Sequence, residues 1–220
     1  MQLMGEKERA YVRDRLGTPA RPVRLLVFMR GAPCDSCDAM EQLAREIAQE
    51  VPGVEVQVVG PLDHERALAY GVDQLPALAV EPADAVGPAN GIRFFGFPGG
   101  YEFDSLLEAV RRVAAGDPGL GGELLQYVND LSRPLRLQVF VTPTCPYCPR
   151  MVQLAHRMAL VSPLVQADMV DATEFPELSE RFGVEGVPMT VIDGATSVVG
   201  AVPEGRLLAA LRQARGRAVS

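Results

Sequence analysis

Residues 135–151, "LRLQVFVTPTCPYCPRM", run a short apolar stretch into two cysteines that stand two residues apart between prolines. A brief Val- and Leu-rich run bounded by proline reads as a buried strand. Met151, Val152, Ala155 and Met158 then recur at spacings of three and four, the apolar stripe of a helix. The same pattern occurs earlier in the chain. "VRLLVFMR" (23–30) leads to Cys34 and Cys37, and Met40, Leu43, Ala44 and Ile47 repeat the stripe. Cys34 and Cys145 are 111 residues apart in a chain of 220, so the repeat is half the chain.

Downstream of each pair the correspondence continues. "VEVQVVG" (54–60) and "VQADMVD" (165–171) read as second strands, each followed by a short polar helix. "DQLPALAVEP" and "EGVPMTVID" are third strands that open on a proline. Cys34 to Pro76 is 42 residues and Cys145 to Pro188 is 43. "IRFFGFPGG" and "TSVVGAVPEG" close each unit as fourth strands, before helices at 102–115 and 204–215. The order is β-α-β-α-β-β-α, twice, an α/β arrangement in which each unit has a mixed central sheet flanked by helices. Helical stretches at 5–16 and 123–131 open the two units. The glycine-rich segment "AAGDPGLGGE" (114–123) is a linker: no strand leads into it, as a phosphate-cradling loop would require. The expected units are 1–117 and 118–220.

The bulk composition narrows the function. At 48% hydrophobic and 22% charged residues, the chain is globular in type. Its net charge of −7 argues against a nucleic-acid binder, which needs a basic face for phosphates. No apolar run reaches the roughly 18 residues of a membrane span, and the charged N-terminal stretch lacks the apolar core of a signal peptide. A cytoplasmic location without membrane association is expected.

Three chemistries compete for the paired cysteines. Zinc modules space their pairs by roughly 15–20 residues. Here each pair starts its own helix, neither His64 nor His156 sits at ligand spacing, and no metal is expected. A structural staple across so short a ring would constrain the unfolded chain little. Dithiol–disulfide exchange fits the location, and it needs no cofactor. A cysteine at a helix N-terminus faces backbone N–H groups without intrahelical partners, and these favour its thiolate. Cys34 and Cys145 are thus expected to be the exposed, helix-capping nucleophiles, with Cys37 and Cys148 as the resolving thiols one turn further in. Asp35 puts a negative charge beside Cys34, whereas "CPYC" has no charge between its cysteines. The second site is therefore expected to be the more oxidising. Pro149 has no N–H for the Cys145 carbonyl, so the first helical turn there should be loosened.

Each unit resembles a thioredoxin fold, with C-x-x-C after the first central strand and a proline some forty residues on. The resemblance implies that Pro76 and Pro188 are cis, lie against the cysteine pairs, and turn the backbone of Leu75 and Val187 toward an extended substrate segment. "CPYC" is the glutaredoxin version of the motif, and Tyr147 within it is expected to contact substrate. Two such units in tandem resemble the glutaredoxin-like protein disulfide oxidoreductases. The implied activity is reduction, oxidation or isomerisation of protein disulfides, with protein substrates and a thioredoxin-reductase-like flavoprotein as partners. The alternative is an electron relay that passes reducing equivalents from a flavoprotein reductase to a peroxiredoxin or similar acceptor. It would resemble the N-terminal domain of alkyl hydroperoxide reductase flavoproteins, which keeps one working pair where this chain has two. The sequence departs from thioredoxins where their buried acid stands six residues before the nucleophile: Phe28 and Val139 occupy those positions, and the chain has no Trp. Glutaredoxin-like chemistry fits that departure better. His64 and His156 read as solvated helix residues, and Met40 and Met151 as core.

Overall fold

The computed structural model describes residues 2–31, 33–60 and 63–216. Met1 and residues 217–220, the outer ends of the two expected units, lie outside the described residues.

The first half runs α1 (Glu6–Leu16), β1 (Val23–Phe28), α2 (Asp35–Glu50), β2 (Val54–Val59), α3 (His64–Ala69), β3 (Ala77–Pro82), β4 (Ile92–Phe95) and α4 (Glu102–Ala115). The second runs α5 (Gly122–Asn129), β5 (Leu135–Val141), α6 (Cys148–Val161), β6 (Val165–Asp171), α7 (Pro176–Arg181), β7 (Met189–Ile192), β8 (Thr196–Val199) and α8 (Glu204–Gly216). The strands β1 and β5 are buried almost throughout, as near-continuous apolar runs should be when helices cover both faces. Met40, Leu43, Ala44 and Ile47 of α2, and Met151, Val152, Ala155 and Met158 of α6, are among the residues those helices bury. Among the described residues no helix is long and apolar enough to cross a membrane.

All eight strands form one sheet, in the order β2-β1-β3-β4-β6-β5-β7-β8. The seam between the halves is the parallel pair β4–β6, with Ile92 opposite Ala167 and Phe95 opposite Val170. The approach is close enough at its start that a Cβ on Gly91 would overlap the Val165 carbonyl oxygen. Across the seam, buried Arg93 pairs with buried Asp168 at 2.7 Å and donates to the Tyr70 and Gly71 carbonyls at 2.8 and 2.6 Å. Arg136 binds the other Asp168 oxygen at 2.8 Å and reaches out to Asp73. A charge pair this deep is tolerable because nearly every donor and acceptor has a partner.

Strand direction places the cysteines. The strand β1 is antiparallel to β3, which is antiparallel to β4, while β4, β6 and β5 are mutually parallel. Hence β1 and β5 point the same way, and both cysteine pairs lie at one edge of the sheet. Four strand spacings separate them, about 19 Å at the usual interstrand distance.

Candidate active sites

Both pairs are disulfide-bonded, with Cα–Cα distances of 5.2 Å for Cys34–Cys37 and 5.5 Å for Cys145–Cys148. At the first, Cys34 is the N-cap of α2, and its sulfur accepts from the Cys37 N–H at 3.2 Å. Cys34 is half-buried and Cys37 buried, so the outer sulfur is the accessible one. Asp35 is exposed to solvent, where its field on Cys34 is screened.

The second site corrects the sequence reading twice. The helix α6 begins at Cys148, with Tyr147 as its N-cap, so Cys145 does not cap it. The reason is Pro149, whose ring nitrogen cannot donate back to the Cys145 carbonyl. That oxygen instead takes a long 3.4 Å bond from Cys148 N in a turn. Nor is Cys145 exposed: it is 8% accessible, although still more so than Cys148 at 0%. Tyr147 is 69% exposed between them.

The Leu75–Pro76 and Val187–Pro188 peptide bonds are both cis. Leu75 and Pro76 line one cavity with Cys34, together with Arg30, Ser36, Glu174 and Phe175. In the second half Met189 stands opposite Phe140, so Val187 and Pro188 lie beside the residues that lead into "CPYC". The carbonyls of the two prolines accept from Gly96 and Gly200, which ties each loop to the neighbouring strand end.

Phe28 and Val139 are buried and apolar, so no acid of the thioredoxin type stands before either nucleophile; a buried acid lies instead at the start of α4. Glu102, at the start of α4 in the first half, is 1% exposed, and neither carboxylate oxygen has a hydrogen-bond partner among the described residues. Burial pushes its pKa up to about 7; Ser105 opposes this, and the negative Asp171 and Asp104 add to it. The adjacent Tyr101 N–H donates to the Pro143 carbonyl at 3.0 Å, two residues before Cys145. At Gly100 a Cβ would overlap that same carbonyl, so only glycine lets α4 start this close to the "CPYC" loop. In the sequence Glu102 is an ordinary first-turn acid, and nothing local marks it.

His156 is a further correction. It is buried against the Phe94 ring, with Nε2 3.3 Å from the Arg93 carbonyl, and burial lowers its pKa to about 4. The ring is neutral and belongs to the α4–α6 interface. His64 is exposed, and Met40 and Met151 are core.

Known proteins are similar to this chain in sequence and in fold. A thioredoxin domain family model matches residues 135–213. The alkyl hydroperoxide reductase AhpF of Staphylococcus epidermidis is 33% identical over 108 residues, covering 49% of this chain and 21% of that protein. Its Staphylococcus aureus counterpart is 30% identical over the same length. The chain thus matches about a fifth of the length of these relatives. The structure of Enterococcus faecalis AhpF superposes with a TM-score of 0.86 at 28% identity, covering 96% of this chain and 100% of that one. A protein disulfide oxidoreductase from Aeropyrum pernix gives 0.87 at 26% identity, with 97% and 94% covered. The second half is thus similar to a thioredoxin domain and, taken whole, the chain has a tandem thioredoxin-like fold with both CxxC pairs within disulfide distance.

Proposed function

We propose that the chain is a thiol–disulfide oxidoreductase acting on protein disulfides, with one exchange site in unit 1–117 and one in unit 118–220. The observation that carries this is the pairing at each site of a more accessible outer sulfur with a buried inner one, at the same edge of one sheet. In the reducing direction the outer thiolate, Cys34 or Cys145, attacks a substrate disulfide. One substrate sulfur leaves as thiolate and takes a proton, while the other stays in a mixed disulfide. The inner thiol, Cys37 or Cys148, loses its proton and attacks the outer sulfur. This frees the second substrate thiol and leaves the CxxC disulfide. At the second site Glu102, whose helix starts at a hydrogen bond to Pro143 two residues before Cys145, is the candidate proton acceptor for Cys148. Leu75–Pro76 and Val187–Pro188 serve as substrate platforms, and Tyr147 as a contact for protein segments.

Similarity to the alkyl hydroperoxide reductase AhpF supports a second reading, in which a flavoprotein reductase reduces the chain and a peroxidase-type acceptor drains it. The chemistry at the sulfurs is the same in both. The test is Cys148→Ser in a chain whose first pair is also serine. It should accumulate a covalent adduct with a disulfide-containing protein, released by dithiothreitol and visible by intact mass. Normal turnover by this variant would overturn the assignment of nucleophile and resolver.

A further inference from the structure

Beside the first cysteine pair lies a small cavity lined by both charged and apolar side chains. It measures about 210 Å³, below the roughly 300 Å³ at which pockets begin to hold drug-sized ligands. Its rim carries opposite charges. Arg30 comes from just past the end of β1 and Glu174 from the loop after β6, so the other half of the chain completes this site. Among the described residues the two make no ion pair with each other, although both line the cavity. Arg30 spends one donor on the Leu75 carbonyl at 3.1 Å, which leaves most of a five-donor guanidinium uncommitted. Glu174 is fixed by the Phe97 N–H, which donates to its Oε1 at 2.5 Å. Its other oxygen has no hydrogen bond among the described residues.

The bond from Arg30 to Leu75 has a second consequence. It engages one lone pair of the carbonyl that an extended substrate strand would also use, so Arg30 competes with strand pairing at this platform. At the matching positions of the second site stand Val141 and Tyr147 in place of Arg30 and Ser36. Neither is a cation, and exposed Tyr147 offers an aromatic surface instead.

We infer that the first site takes a low-molecular-weight zwitterionic disulfide of the amino-acid type, with Arg30 holding its carboxylate and Glu174 its ammonium group. This rests on the reading of Cys34 and Cys37 as a redox pair. The reduced pair gives two electrons to the small disulfide: Cys34 thiolate attacks one sulfur and one aminothiol leaves. Cys37 then displaces the second aminothiol and closes the Cys34–Cys37 disulfide. A dithiol reductant, dithiothreitol in the test, restores the pair.

The test uses the full chain with Cys145→Ser and Cys148→Ser, so that only the first site can react. Initial rates are measured with cystine, with cystamine (no carboxylate), with N,N′-diacetylcystine (no free ammonium) and with 2-hydroxyethyl disulfide (neither charge). Arg30→Met should lower kcat/KM for cystine, relative to 2-hydroxyethyl disulfide, at least tenfold, and should leave the cystamine ratio little changed. Glu174→Gln, which keeps the acceptor for Phe97 N–H, should lower the cystine ratio but not the diacetylcystine ratio. Equal effects on all four disulfides would overturn the recognition roles while leaving the pair redox-active. No reaction with 2-hydroxyethyl disulfide in the parent variant would overturn the redox reading of the pair, and the pocket proposal with it.

Discussion

Glu102 is a buried acid that no local pattern announces. An acid in the first turn of a helix is what the helix dipole favours, so its sequence context reads as ordinary. Its burial arises only when α4 of one half packs beside the cysteine loop of the other. His156 escapes a sequence reading for the same reason: the stripe of α6 is legible, but not that α4 covers a further face. Because the folded chain holds Glu102 near 7 rather than at its usual 4.5, the folded state binds a proton that the unfolded chain has released. Stability from this group is therefore full below about pH 4.5 and is lost as pH rises through about 7, on the order of 3 kcal/mol in all. Glu102→Gln, neutral at every pH, should be more stable than the parent by about 2–3 kcal/mol at pH 8, with the gap closing toward pH 4.5. Urea unfolding of the full chain at both values checks this. A gap that does not move with pH would mean that Glu102 titrates like a solvated acid.

The helices α2 and α6 begin differently relative to their cysteines, and the difference reverses an expectation. From sequence, the charge of Asp35 makes the second site the more oxidising. In the structure Asp35 is exposed, whereas Cys34 caps α2 and receives the Cys37 N–H at 3.2 Å. Cys145 lies three residues before the start of α6 and is nearly enclosed. A capping N–H and the helix dipole act on the thiolate at close range, while an exposed carboxylate is screened. The first pair should thus be the more oxidising, and reduced Cys34 should react with iodoacetamide at pH 6 about tenfold faster than reduced Cys145. Pro149→Ala should let α6 extend back toward Cys145 and narrow that gap; faster alkylation of Cys145 in the parent would restore the ordering that Asp35 alone implies. The strands, the helices and the half-chain repeat are legible because apolar periodicity and proline positions are local. Even the disturbed first turn of α6 is legible at Pro149. Where the helix starts instead is not, since that depends on the turn the cysteine ring adopts.

The two halves share one sheet, and the join holds the least sequence-visible part of the fold. "IRFF" and "VQADMVD" each read as strands, but no periodicity says that they pair with each other. Arg93 inside an apolar strand is the one trace, and its meaning emerges only with Asp168 and Arg136 beside it. Asp168→Ala leaves two arginines without their shared carboxylate and should cost about 3–5 kcal/mol, whereas Asp73→Ala, at the exposed end of the network, should cost under about 1 kcal/mol. Equal losses in urea unfolding would mean that the seam does not depend on the buried pair. With the seam intact, both cysteine pairs lie at one edge of the sheet, and the proposed work of the molecule is exchange at those four sulfurs. The most direct test is dithiothreitol-driven insulin reduction by the full chain, by variants with either pair changed to serine, and by the variant with all four changed. Turnover should vanish in the four-serine variant, and most of the loss should come from Cys145→Ser/Cys148→Ser, whose site has the exposed Tyr147. A four-serine variant that reduces insulin as fast as the parent chain would contradict the proposal outright.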